Sequence, residues 1–334
     1  MDVEETQKRQ QGKDDRPLVV IHRPPSSDNP FRDRLERHFN LLDPQDHYPN
    51  PTHLFLLNNA RTARVLLYLG LPTAISKELL SLLPSLQLIV GSSSGVDHVD
   101  LTECRRRGIQ VTNAGSAFSE DVADYAVGLL IDVLRKISSA DRFVRAGRWP
   151  GQGDYPLGFK LGKKRIGIVG LGNIGSEVAK RIVSFGCKIS YTSRKKKPFV
   201  TFPYYSNVGD LATNSDVLIL CCALTEETYH MINKDVMVAL GKEGVIVNVG
   251  RGELIDEKEL VRLLARGEVG GAGLDVFENE PQVPSELSAL DNVVLSPHLA
   301  FATPECIDAV EELIMYNLKA FFEDKPLRSV VKLD

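Results

Sequence analysis

The sequence predicts an α/β protein built on two parallel sheets. Three observations predict it: a length of 334 residues, strand-like apolar runs alternating with helical patterns, and a Gly/Pro-rich break at 147–151 that precedes a second such series. The length admits about two domains at the usual ~100–200 residues each. Alternation of this kind places helices between parallel strands and over the faces of the sheets.

In chain order, the first 16 residues are charged and polar without a hydrophobic signal core, so 1–16 is expected to be a disordered lead. Strand-like runs follow at Leu18 to Ile21, Val65 to Leu69 and Leu86 to Val90. A long helix is expected from Ser119 to about Ala146. Ser119 can cap it, Glu120 and Asp121 suit the positive end of its dipole, and Val122, Ala126, Leu129, Leu130, Val133, Leu134 and Ile137 recur at three-to-four spacing. After the break Gly147-Arg148-Trp149-Pro150-Gly151 come apolar runs at Arg165 to Val169, Lys188 to Tyr191, Val217 to Cys221, Val245 to Val249, Gly271 to Leu274 and Val293 to Leu295. A last helix, Pro304 to Phe322, is expected to return to the first domain. The expected domains are therefore 17–118 with 302–334, and 119–301.

Composition excludes several classes. Apolar residues are 43% and charged residues 25%, with a formal net charge of −4. That is ordinary globular make-up with no basic stripe, so no nucleic-acid partner is expected. The run Arg194-Lys195-Lys196-Lys197 is the local exception. No stretch approaches the ~18 uncharged apolar residues of a membrane span. The five cysteines lack zinc-ligand spacing, and no metal is expected. Cys221 and Cys222 end an apolar run and are expected to be buried thiols in a reducing compartment, which points to the cytoplasm.

The strongest motif is Gly170-Leu171-Gly172-Asn173-Ile174-Gly175, directly after the run Arg165 to Val169 and opening a helical pattern from Ser176 to Val183. In a strand–turn–helix setting this triplet is a dinucleotide fingerprint. Gly170 permits the turn, Gly172 admits a pyrophosphate, and Gly175 lets helix and strand approach. The next strand should end near Tyr191-Thr192-Ser193. Dinucleotide sites that prefer the unphosphorylated cofactor commonly place an acid there, about 20 residues on. Here Ser193, Arg194 and Lys195 stand in its place, which favours a 2′-phosphate and hence NADP(H) over NAD(H). A merely solvated basic loop is the alternative.

Three segments past strand ends offer the groups that hydride transfer to a keto acid needs: a cation for the carboxylate and carbonyl, an acid for the alkoxide, and a partner for that acid. Val249-Gly250-Arg251-Gly252 supplies a guanidinium. Gly273-Leu274-Asp275-Val276-Phe277-Glu278-Asn279-Glu280-Pro281 supplies carboxylates. Ser296-Pro297-His298 supplies an imidazole whose pKa a neighbour such as Glu280 would raise. Singly, each has an ordinary alternative: a structural histidine among six others, a surface ion pair, solvated loop acids.

Together, these motifs in this order resemble the D-isomer-specific 2-hydroxyacid dehydrogenases from about residue 17 to the end, and most nearly the plant glyoxylate/hydroxypyruvate and hydroxyphenylpyruvate reductases. Thr192-Ser193-Arg194-Lys195 and Glu120-Asp121-Val122-Ala123-Asp124 carry the nearer likeness. The resemblance implies two Rossmann-like domains around a cleft, a flavodoxin-like substrate domain plus a dinucleotide-binding domain, and a homodimer formed through the long helix and its flanks. It implies that Arg251 binds substrate, Glu280 partners His298, and His298 is the acid/base. Asp275 would meet the nicotinamide carboxamide. Asn173, Ile174, Thr228, Val249, Gly250 and Ala300 would complete the cofactor site.

The run ending at Val90 leads into Gly91-Ser92-Ser93-Ser94-Gly95, whose small residues leave amides open to an anion. The resemblance assigns the substrate carboxylate to Ser93, Ser94 and Gly95; an ordinary tight turn is the alternative. Ser92 and the segment Leu67 to Gly70 depart from the usual pattern of hydroxyphenylpyruvate reductases. Trp149 either closes the cleft from a neighbouring subunit or packs at the helix end. The expected activity is reduction of glyoxylate, hydroxypyruvate or hydroxyphenylpyruvate, with hinges near Ser119 and Ala302. A dinucleotide-sensing, non-enzymatic corepressor of the same fold is the competing expectation.

Overall fold

The computed structural model describes residues 15–25, 28–47, 51–70 and 74–333. Most of the expected lead thus lies outside the described residues. The chain divides into two compact units: the described parts of Met1–Ala117 and Pro304–Asp334, and Phe118–Thr303.

The first unit holds β1 (Leu18–His22), β2 (Asn40–Leu42), β3 (Val65–Tyr68), β4 (Leu88–Gly91) and β5 (Gln110–Thr112), parallel in the order β2-β1-β3-β4-β5. That is the flavodoxin-like order. β1, β3 and β4 are nearly continuous apolar runs because helices cover both faces, as a parallel sheet requires. The helix Pro304–Phe322 buries Cys306, Val310, Ile314, Met315 and Leu318 and packs against β4. Beyond it the chain runs antiparallel beside β5, bridging Thr112 to Val330, with the Val331 N–H on the Val111 carbonyl at 2.8 Å. The short strands β2 and β5 carry too few apolar residues to show a pattern in the sequence.

The second unit holds β6 (Arg165–Val169), β7 (Lys188–Thr192), β8 (Val217–Leu220), β9 (Val245–Asn248), β10 (Gly271–Leu274) and β11 (Val293–Leu295), parallel in the order β11-β10-β9-β8-β6-β7. A single parallel bridge from Tyr191 to Tyr204 continues the sheet beyond β7. Counting it as the reduced third strand gives the order 3-2-1-4-5-6 of a dinucleotide-binding sheet, extended by one strand at β11. The order reverses between β6 and β8. That switch point is where such sheets bind ligands, beyond the strands' carboxyl ends.

The long helix differs from the expectation. It runs Ser119–Arg135, stops at Lys136, and a second helix occupies Ile137–Arg145. Lys136 sits in the left-handed region at φ 56° and its N–H caps the Asp132 carbonyl. Asp132 then turns its carboxylate to the second helix, accepting the Ser138 N–H at 2.8 Å and the Ser138 hydroxyl. Ser119 is not the capping residue either. Phe118 holds that position, and the Ser119 hydroxyl is buried without a hydrogen-bond partner among the described residues. The apolar periodicity continues through the break because Ile137 keeps the spacing, so periodicity alone could not reveal it.

The five cysteines are free. Cys104 and Cys306 are buried, whereas Cys221 and Cys222 are half-buried rather than buried as expected. They lie just past the end of β8, at the open edge of the switch point. Desolvation still pushes the Cys222 thiol up to about 11.

Candidate active site

The three glycines after β6 do three different jobs. Gly170 has φ 95° and donates its N–H to the Thr192 carbonyl, and a Cβ there would fall 2.6 Å from the Cys222 backbone. Only glycine fits this turn. A Cβ at Gly175 would lie 2.1 Å from the Gly170 carbonyl oxygen, so the helix Asn173–Val183 sits directly on the strand end. A Cβ at Gly172 meets nothing within 4 Å. The space beside Gly172 is therefore open, at the positive N-terminal end of an eleven-residue helix with no acidic residue in its first turn. The residues present fit a dinucleotide pyrophosphate. Asn173 and Ile174 form that first turn.

β7 ends at Thr192. Ser193 then turns its hydroxyl onto the Lys195 carbonyl at 2.7 Å, while Arg194, Lys195, Lys196 and Lys197 are exposed. No carboxylate stands at this strand end. Thr228 serves a local turn: its hydroxyl donates to the Ala223 carbonyl at 2.8 Å and accepts the Thr225 N–H at 2.7 Å.

The Arg251 turn is built by a residue that sequence reasoning missed. Asn248, fully buried at the end of β9, accepts the Gly250 N–H at 3.0 Å and donates to the Arg251 carbonyl at 2.7 Å. An asparagine before Gly-Arg-Gly was the available signal, since its amide can satisfy both ends of a tight turn. Val249 is buried and Gly250 packs against the Cys222 carbonyl. Gly252 lies so close to the Phe277–Glu278 peptide that a Cβ would sit 1.8 Å from a backbone carbon.

Asp275 follows β10 and is 1% exposed. Its carboxylate accepts the Ser296 hydroxyl at 2.7 Å, the Leu299 N–H at 2.8 Å and the Ala300 N–H at 2.9 Å, while its carbonyl accepts the His298 N–H at 2.7 Å. Asp275 thereby shapes the turn that carries the histidine, and Ser296 is a second residue the sequence did not single out. His298 has φ 53°. Its Nδ1 lies 2.8 Å from Glu280 Oε2, and Glu280 Oε1 accepts the Phe277 N–H at 3.1 Å. Burial raises the Glu280 carboxyl's pKa. The bond and charge of His298, the Phe277 amide and the Arg251 charge outweigh that and hold it below the usual range. Glu280 is thus an acceptor, Nδ1 carries the hydrogen, and Nε2 is the nitrogen left to exchange a proton.

In the first unit, the loop after β4 is braced from behind. Tyr68 OH lies 2.9 Å from Ser93 Oγ, which donates to the Gly95 carbonyl at 2.7 Å, and Asn113 donates to the Ser94 carbonyl at 2.8 Å. The Ser93 hydroxyl is thus spent inside the loop. The Ser94 hydroxyl is buried without a partner among the described residues. Among those residues no group of three or more His, Cys, Asp or Glu could hold a metal. No described helix is long and apolar enough to cross a membrane.

A switch-point glycine loop and an imidazole–carboxylate pair fit a dinucleotide-dependent oxidoreductase. The chain belongs to the D-isomer specific 2-hydroxyacid dehydrogenase family, whose NAD binding domain model matches residues 127–300. It is 57% identical to glyoxylate/hydroxypyruvate reductase HPR3 of Arabidopsis thaliana over 320 residues, covering 95% of this chain and 98% of that one. It is 49% identical to the hydroxyphenylpyruvate reductase of Plectranthus scutellarioides over 254 residues, 76% of this chain and 81% of the other. Among solved structures it is similar to the NADPH-dependent glyoxylate/hydroxypyruvate reductase of Sinorhizobium meliloti in complex with NADP and malonate. There the TM-score is 0.86 at 35% identity, covering 95% and 97% of the two chains.

Proposed function

We propose that the protein reduces glyoxylate, hydroxypyruvate or hydroxyphenylpyruvate to the D-2-hydroxy acid with NADPH, giving glycolate from glyoxylate. The observation that carries this reading is His298 Nδ1 at 2.8 Å from a Glu280 carboxyl held low partly by Arg251. Arg251 binds the substrate carboxylate and polarises the keto oxygen, and protonated His298 donates from Nε2 to that oxygen. Glu280 fixes the ring's tautomer and orientation. Ser93, Ser94 and Gly95 are proposed as anion donors through their amides. Asp275, Val249, Gly250, Thr228 and Ala300 are proposed to border the cofactor, whose bound form supplies the hydride. Ser193, Arg194 and Lys195 support the preference for a 2′-phosphate, because an exposed guanidinium beside a hydroxyl binds phosphate where an acid would repel it. The corepressor alternative is not favoured, since the relatives named above are reductases.

Initial rates with the three keto acids and either cofactor test the reading. His298→Ala is expected to lower kcat by roughly 100-fold or more, the usual contribution of a general acid. Arg194→Ala is expected to raise KM for NADPH and leave that for NADH unchanged. Full kcat in the His298 variant, or equal use of both cofactors by the wild type, would refute the respective assignment.

A homodimer and a cytoplasmic setting are also proposed. For the dimer, the second unit exposes Ile137, Val144, Trp149, Leu157 and Phe159 within 23 residues of chain. Trp149 is 61% exposed, which goes against its packing at the helix end and suits contact with a second copy.

A further inference from the structure

The second unit contains another histidine with the same two peculiarities as His298. His230 also sits in the left-handed region, at φ 49°, and its ring also pairs with a carboxylate of the loop after β10: Nε2 lies 3.0 Å from Glu278 Oε1. A β-carbon-bearing residue adopts that backbone uncommonly. Among the described residues Lys136, Lys163, Asp324 and Ser329 share it, but only His230 and His298 of the six also pair their ring with a carboxylate of this loop. Here the surroundings include the segment that directly follows Arg251. The His230 N–H donates to the Glu253 carbonyl at 2.8 Å, and the chain continues beside the turn, with Ile232 N–H on the Leu254 carbonyl and Asp256 N–H on the Ile232 carbonyl. The Tyr229 ring stacks on the imidazole, with centroids 4.0 Å apart.

The partner loop is locked to the same turn. Gly252 presses on the Phe277–Glu278 peptide, and the Glu278 N–H donates to Glu257 Oε2 at 3.2 Å. The neighbouring N–H, of Phe277, is the one that holds Glu280 Oε1. His230 thus joins two segments: through its backbone, the turn bearing Arg251; through its ring, the loop whose next contact fixes the partner of His298. Four carboxylates meet around this junction, Glu253, Glu257, Glu278 and Glu280. Burial, and then the charges of Glu278, Glu253 and Glu280, push the Glu257 carboxyl up, so they share one electrostatic environment. Arg251 and His298 bear on Glu280 from this side, and the His230 ring is a hydrogen-bond partner of Glu278. Without a donor on Glu278, repulsion would favour moving that loop away.

We propose that His230 and Glu278 form a positioning pair that holds the Glu280 loop and the Arg251 turn in one frame, so that the acid–base group and the substrate cation stay in register. The proposal rests on the reading of His298 as the acid. Neither His230 nor Glu278 is assigned contact with substrate; they act through Glu280 and Arg251. A second-layer pair of this kind matters because a misplacement of about 1 Å can cost on the order of 100-fold in rate.

The test is keto-acid reduction with NADPH across pH by the wild type, His298→Ala, His230→Ala, His230→Gln, Glu278→Ala and the double variant His230→Ala/Glu278→Ala. His230→Ala is expected to lower kcat by about tenfold while KM for NADPH stays unchanged. The acid limb of its kcat/KM profile should move to higher pH, because a Glu280 that loses its alignment with His298 and the Phe277 amide loses what holds its carboxyl low. Glu278→Ala should match it, the double variant should be no worse than either, and His230→Gln, which keeps a donor, should recover part of kcat. A His230→Ala enzyme with the wild-type pH profile and kcat, changed only in Tm, would overturn the proposal. So would losses that simply add in the double variant. If His298→Ala itself kept full kcat, the acid reading would fail and take this proposal with it. A dead His298→Ala beside an unaffected His230→Ala would remove the positioning pair alone.

Discussion

Individual side chains in the second unit carry charge under constraint, and the constraints have opposite signs. Glu280 is held low and Glu257 is pushed up, the first by a hydrogen-bonded cation and the second chiefly by burial. For Glu257, a folded pKa above the unfolded one means its stabilising contribution is present below the usual carboxyl range and is lost as pH rises through the folded value. Glu257→Gln keeps an oxygen for the Glu278 N–H and removes the charge. It is expected to raise Tm at pH 7 by roughly 2 °C, a gain that disappears near pH 4; thermal melts at both pH values check it, and an equal gain at both would contradict the charge account. The glycine loop makes a paired test. Gly175→Ala places a Cβ 2.1 Å from the Gly170 oxygen and is expected to cost about 1–3 kcal/mol. Gly172→Ala meets no protein atom within 4 Å, so Tm should hold while KM for NADPH rises. Denaturant melts and cofactor titration separate the two.

Among the elements, the helix pair 119–145 shows how one side chain can join two pieces. Asp132 belongs to the first helix, yet its carboxylate caps the second through the Ser138 N–H and hydroxyl. Lys136 between them takes the left-handed conformation that ends a helix, usually a glycine's place. Asp132→Ala is expected to lose about 1 kcal/mol, the usual cost of removing a cap. Urea unfolding checks this, and an unchanged midpoint would mean that the second helix is held by packing alone. At the sheet edges, β2 and β5 are three residues each. Parallel pairing with β1 and β4 defines them as strands, since runs so short have no period to detect.

For the molecule as a whole, two units are built from a chain that leaves the first, completes the second, and returns. The helix Pro304–Phe322 belongs to the first unit although nearly 190 residues separate it from Ala117. Its buried face, Cys306, Val310, Ile314, Met315 and Leu318, packs against β4. The apolar residues left exposed on the second unit, from Ile137 to Phe159, are the basis for expecting a second copy. Sedimentation equilibrium at micromolar concentration should give twice the 36.9 kDa chain mass. A monomer mass would remove the dimer and, with it, the role given to Trp149.

Local chemistry was legible from the order of residues. The βα alternation, the Gly170–Gly175 loop after β6, the missing acid after β7, Arg251 and His298 just past their strands and Glu280 in the loop after β10 could all be seen, because each depends on neighbours within a few positions. Folding settled what depends on residues far apart in the chain. Ser296 and two amides filled the Asp275 carboxylate. Tyr68 and Asn113 braced the Ser93–Gly95 loop, and His230 met Glu278 across 48 positions. A hydrogen bond needs its two atoms within about 3 Å, and no spacing along the chain specifies which distant residue will stand there.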